Sequence, residues 1–254
     1  RFAACFDEKK AAAYPEADEI FHRAGENFEE VYTFLSKDEN PNRKKLLFSL
    51  ALKDAKDLKA SVLEDHLNCE QGDLPEEIFR KDLLCPRIFL EELTPYRSVI
   101  RGFFEEETKH SFAEQPERIL DYLKKNITFH AEEEYDTIMA TPVGVLTMKQ
   151  GSPLAQKILF VAICRSLNVA ARLNPVTLEP EYYHNGAFHS VETEAAVLEE
   201  ETESAVLTLN AEDGSAWKYY QTWTIGKWNG TVFETLNYED IAFNGKTLAL
   251  TLEP

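Results

Sequence analysis

No run of apolar residues in this chain approaches the length of a membrane-spanning helix, so a transmembrane segment is not expected. Basic charge is in short supply. Against 45 acidic side chains stand 27 Lys and Arg, and the formal net charge is −18. Bulk attraction to nucleic acid or to an anionic membrane is opposed by that balance, and no nucleic-acid partner is expected. There is no CxxC pair and no Cys/His spacing suited to zinc. The acidic runs Glu105–Glu107, Glu132–Glu134 and Glu199–Glu201 lack the spaced Asp/Asn/Gly ligands of a calcium loop and read as solvated faces. No metal and no cofactor are expected. The four cysteines, Cys5, Cys69, Cys85 and Cys164, are scattered, and only Cys69 and Cys85 are close in sequence. Either one disulfide or free buried thiols fit that count. The chain also lacks a starting Met and a signal peptide and stops within a β-rich stretch, so it reads as a piece of a longer polypeptide.

What is present divides into two grammars. Residues 1–125 read as helical. Ile20, Phe21, Ala24, Phe28, Val31, Tyr32 and Leu35 recur at helical spacing, as do Ile88, Phe89, Leu93, Tyr96, Ile100, Phe103 and Phe104. Asn40-Pro41 is a helix-start signal, Pro95 marks a start or kink, and His66 sits on an apolar stripe as a packed, hydrogen-bonded core residue. Ile127–His130 reads as a short strand or link, and Thr141–Val145 as a turn. After Arg172 the pattern turns to β. Asn185-Gly186, Asn229-Gly230 and Asn244-Gly245 are each two-residue hairpin signals between apolar runs. Glu192–Ser204 reads as an acidic loop.

Gly151–Arg172, GSPLAQKILFVAICRSLNVAAR, carries the most information. Ser152 suits an N-cap, and Pro153 suits the first helical position, where no amide hydrogen is needed. Leu154–Leu167 is apolar nearly all round, which predicts a helix buried on several faces. Asn168 fits the left-handed position past its end. Val169–Val176 then reads as a strand ending near Pro175.

This stretch resembles the nucleophile-bearing helix and strand of the transglutaminase-like superfamily. There a Gly-x-Cys opens a buried helix that runs into Arg-small-Leu-Gly-Ile-Pro-Ala-Arg. Arg165-Ser166-Leu167-Asn168-Val169-Ala170-Ala171-Arg172 follows that pattern, with Asn168 for the Gly and Ala170 for the Pro. Gly151 falls on the family's Gly and Pro153 on its Cys. Flanking segments, among them Cys85-Pro86-Arg87, Glu92–Arg97, Phe160–Leu167 and Asn174–Thr177, are similar to an exported bacterial group with a helical region before the core. The resemblance implies an α+β fold, with a helical region at 1–125, a transglutaminase-like core at 126–202 (a buried helix against an antiparallel sheet) and a β region at 203–254. It also implies an exported location, periplasmic or at the cell surface.

The same residues argue against the chemistry. An active member needs a His on the strand after Ala-Arg and an Asp to orient it. The family's His-Ala-Trp is met only by Gly186-Ala187-Phe188, with His189 displaced and His184 before the turn. Asp213 is the remaining candidate orienter, although Asp213-Gly214 is first a turn signal. The expectation is a catalytically degenerate domain serving as a binding or architectural module. The alternative is a hydrolase or acyl transferase of peptides or amides using Ser152 or Cys164 with His184 or His189. A helix N-terminus attracts anions locally. A peptide or glycan site is therefore expected there, lined by Ser152, Tyr182, Tyr183, Phe188 and His189.

Overall fold

The computed structural model describes residues 6–129, 139–191, 205–210, 223–228, 233–235 and 246–252. The chain forms two compact units, residues 1–195 and 196–254. The first is helical at its start: α1 (Glu8–Ala11), α2 (Asp18–Ala24), α3 (Phe28–Ser36), α4 (Asn42–Leu47), α5 (Ala60–His66) and α6 (Glu76–Ile78), the last running into a π-helical turn over Phe79–Leu84. Their apolar stripes meet in one core, with Phe21, Phe28, Phe34, Leu46, Leu63 and Leu83 fully buried. Asn40 acts at the start of α4, its Oδ1 accepting from the Asn42 amide at 2.9 Å.

A second core is built around α11 (Pro153–Ser166). Packed against it are α7 (Tyr96–Phe103), α9 (Glu117–Asn126), α10 (Pro142–Met148) and the sheet of β1 (Ala171–Leu173) and β2 (Pro180–His184). α8 (Glu106–Glu114) adds Phe112. From Ile158 to Ser166 every residue of α11 is buried, as a helix apolar all round requires. The Ser152 hydroxyl accepts from the Ala155 amide at 3.2 Å, Pro153 holds the first position, and Asn168 adopts φ 65 beyond the end. α7 is capped from outside its own sequence: the Asp65 carboxylate at the end of α5 accepts from the Arg97 amide at 2.8 Å and the Ser98 amide at 3.1 Å.

The antiparallel sheet has the order β1-β2-β3, with β3 at Ala187–Ser190. Asn185 (φ 50) and Gly186 (φ 86) make the two-residue turn between β2 and β3, as their sequence signals. Two local expectations are corrected. Thr141–Val145 is no turn: Thr141 caps α10 through its side chain, and Pro142 takes the first helical position. β1 is three residues long rather than reaching Pro175, because the Asn174 side chain accepts from the Val176 and Thr177 amides and folds the chain into a turn. The stretch read as a short strand or link carries an isolated parallel bridge, Thr128 to Gln150, and its His130 lies outside the described residues.

In the second unit β4 (Ala205–Asn210) pairs with β7 (Thr247–Leu252), and β5 (Gly226–Trp228) pairs with β6 (Phe233–Thr235). Trp228 pairs with Phe233. The partner of β7 is the distant β4 rather than a strand just before Asn244-Gly245. Asn229-Gly230, Asn244-Gly245 and Glu192–Ser204 lie outside the described residues. The fold is α+β, as expected from the sequence.

The two cores of the first unit are joined through Arg97, which is fully buried. Its guanidinium donates to the carbonyls of Arg165 and Leu83 and, through Nε, to His66 Nδ1 at 3.1 Å. His66 Nε2 lies 2.9 Å from the Thr94 carbonyl. A carbonyl only accepts, so Nε2 carries the hydrogen and Nδ1 presents a lone pair to Arg97. Burial, and then the Arg97 charge, push the His66 pKa down to about 3. Arg165, also buried, donates to the carbonyls of Ala171, Cys85 and Arg87.

Two predictions follow from this packing. Phe160 is fully buried in α11, so Phe160→Ala should destabilise the fold by about 3–5 kcal/mol in urea titration. A loss below about 1 kcal/mol would contradict the packing. For His66, the folded pKa of about 3 lies below the ordinary 6.5. Between those values the unfolded chain holds a proton that the folded chain does not. Stability is therefore fully present above about pH 6.5 and falls by ~1.4 kcal/mol per pH unit below it. Urea unfolding at pH 6.5 and 5.5 should show that loss in the wild type and lose most of it in His66→Gln, which retains one donor and one acceptor. Equal losses in both proteins would rule out His66 as the cause.

Candidate functional site

The start of α11 is built by close backbone approach. A Cβ placed on Gly151 would lie 2.8 Å from a Val145 methyl of α10, so only glycine fits without moving that helix. The Gly151 amide donates to the Thr128 carbonyl at 3.0 Å, and Gln156 Nε2 returns to the Gly151 carbonyl at 2.9 Å. Lys149, at φ 55, turns the chain out of α10. Ser152 and Pro153 lie exposed at this end, near Phe129 and the prominent Met148, which is 75% exposed.

This geometry presents no nucleophile. Pro153 occupies the position where a thiolate would feel the helix dipole, and its side chain has no reactive atom. The Ser152 hydroxyl is engaged with the Ala155 amide. Cys164 is fully buried twelve residues into the segment's helix, its hydrophobic surroundings push the thiol well above its ordinary pKa, and it is a free cysteine. Cys69 and Cys85 are free as well, so the disulfide alternative for that pair does not hold. Among the described residues no group of three or more His, Cys, Asp or Glu side chains is placed to hold a metal ion.

The histidines lie elsewhere. β1 runs antiparallel to α11: Arg165, in the last turn, donates to the Ala171 carbonyl, whereas Lys157, in the second turn, pairs with Glu179 at 2.5 Å just before β2. β2 therefore leads from the beginning of α11 toward its end, and His184 with the turn that follows sits at the far end. α11, fourteen residues and so ~21 Å long, runs from the end that Ser152 caps to the end where His184 borders Asn168 and Val169. The residue facing the beginning of α11 from this sheet is Glu179.

Alternation splits the expected lining. Tyr182 pairs with Ala171 and His189, and Tyr182 and Ala171 pack on the α11 core. Tyr183 pairs with Phe188 on the opposite face and packs toward the helical region. Phe188 lies under the Arg172 guanidinium, 3.6 Å from ring centre to charge, and Arg172 Nε donates to Glu181 at 2.9 Å. Of the expected lining, Tyr182 and Tyr183 border one cleft, which Ser152, Phe188 and His189 do not line. A strand's period of two puts Tyr183 and Phe188 through the sheet from Tyr182 and His189. Asp213 lies outside the described residues.

Around the other end of α11 some of these side chains do meet. The Tyr182 hydroxyl donates to the Glu117 carboxylate, and its ring stacks with His189 at 5.6 Å. Burial first, and then Glu117, push the Tyr182 phenol up to about 12. Exposed His189 donates from Nε2 to the His184 carbonyl at 3.1 Å. Tyr182, Tyr183 and His184 border a cleft of about 260 Å³ closed by the turn at Gln71–Leu74. Sequence periodicity could not have found this cleft, because its walls come from segments about a hundred residues apart.

The family model of the transglutaminase-like superfamily matches residues 97–217. No curated protein and no solved structure matches the chain. The match begins at Arg97, before the core expected at 126–202, and takes in α8 to α11 and the β1-β2-β3 sheet. The chain carries a transglutaminase-like domain over residues 97–217.

Proposed function

We propose that this domain is catalytically inactive and acts as a binding or architectural module. The observation that carries the reading is Pro153 at the N-terminus of α11, the position a nucleophilic cysteine would take. Acyl transfer needs a nucleophile, a base within hydrogen-bond reach and donors for the oxyanion. Backbone amides at the helix start could supply the third. The first is missing, and His184 lies a helix length away from where the second is needed. A hydrolase built on Ser152 or Cys164 meets the same obstacle: the hydroxyl serves as a cap and the thiol is sealed in the core. The resemblance to exported bacterial proteins supports a place outside the cytoplasm, within a longer polypeptide.

The direct test is amine incorporation into a glutamine donor, together with amide hydrolysis, for the wild type and Cys164→Ser. Both should match the protein-free blank, and turnover abolished by Cys164→Ser would overturn the reading. Pro153→Cys separates the two missing parts. Its exposed thiol should alkylate with a pKa below the ordinary ~8.5, as expected at a helix N-terminus. It should still transfer no acyl group, because His184 borders the cleft at the other end of α11. Restored turnover in Pro153→Cys would show that a base is already in place.

A further inference from the structure

The cleft at the C-terminal end of α11 has no part in the lost chemistry, yet its walls are fixed from several directions. Asn168, in the left-handed conformation, clamps the neighbouring loop through both ends of its amide: Oδ1 accepts from the Glu70 amide at 2.9 Å and Nδ2 donates to the Glu70 carbonyl at 3.1 Å. The loop then closes on itself, with the Leu74 amide on the Gln71 carbonyl and Gln71 Nε2 on the Leu74 carbonyl, both at 3.1 Å, around Gly72 at φ 52. The facing wall is held by the hydrogen bond from Tyr182 to Glu117. A pre-formed cleft spares a ligand the cost of ordering it.

Its size and chemistry restrict the ligand. The volume of about 260 Å³ falls below the ~300–1,000 Å³ usual for small-molecule and cofactor pockets, and suits one long side chain. No Lys or Arg lines it. The one carboxylate of the lining is Asp73, exposed on the turn, and Glu117 adds a second beside Pro116. Tyr182 and Tyr183 border the same space, and Leu74, Pro116 and Val169 give it an aliphatic wall. An alkyl stem laid on apolar surface, with a cation near aromatic rings and a carboxylate, is how lysine and arginine side chains are bound. We propose that this cleft receives a lysine or arginine side chain of a basic peptide. The proposal rests on the non-catalytic module described above and supplies its ligand class.

A protein of charge −18 attracts any basic peptide weakly, so the test must separate the cleft from diffuse attraction. The probes are acetylated, amidated tetralysine and tetraarginine, titrated by calorimetry into the wild type, Asp73→Lys and Glu19→Lys. Glu19 is an exposed residue of α2, and its replacement alters net charge by the same amount as that of Asp73. Asp73→Lys should weaken binding at least about tenfold, and Glu19→Lys by less than about twofold. On addition of tetralysine, the amide resonances of Gly72, Asn168 and Val169 should shift in the wild type and not in Asp73→Lys. Acetylated tetraglutamate and maltotetraose should give no heat. Equal weakening in the two variants, or no effect of Asp73→Lys, would overturn the assignment. So would binding of the acidic peptide or the sugar at these amides. Absence of all peptide binding would end the cleft assignment and leave the non-catalytic module standing, whereas acyl-transfer turnover would end the module itself.

Discussion

A guanidinium with no carboxylate beside it holds the first unit together. Arg97 is fully buried, and its donors reach the carbonyls that end the π-helical turn and α11 and the bare nitrogen of a neutral histidine. Burying such a charge is costly unless its hydrogen-bonding capacity is met. Here partial charges from three separate elements meet it, so those elements must stand in one arrangement for the arginine to be buried at all. The helical region and the transglutaminase-like core are therefore interdependent. Arg165 repeats the device one layer away by donating to three carbonyls, and Arg101 does so again at the Ser166 and Asn68 carbonyls. The end of α11 is thereby neutralised by positive side chains, which suits the negative pole of a helix.

Much of this architecture is legible in the sequence, because hydrophobic periodicity and capping are local signals. Ser152, Pro153 and Asn168 mark the limits of α11, the all-round apolar pattern announces its burial, and Asn185-Gly186 gives its hairpin. His66 is read correctly as a core residue, although its partner thirty-one positions away is not. What the sequence hides depends on distance. Asn174 ends β1 early by competing for backbone amides. Thr141 turns an apparent loop into a helix start. The pairing of β4 with β7 skips the strands between them.

The candidate site shows the same division. That Pro153 stands where the resemblance would place a cysteine follows from counting residues. Where the histidines fall does not, since it depends on the direction of β2 relative to α11. Lys157 with Glu179, and Arg165 with Ala171, fix that direction and carry His184 to the end of the helix remote from Ser152. Tyr182 and Tyr183 border one cleft at that end, although neighbours in a strand face opposite ways.

Gly151 shows how steric fit alone can fix the start of a helix. The contact that excludes a side chain there comes from Val145, an apolar residue of the preceding helix, and involves no catalytic group. Selection for simple steric fit is enough to preserve this glycine, along with the cap and the helix direction that follow from it. The glycine is a record of the scaffold's shape.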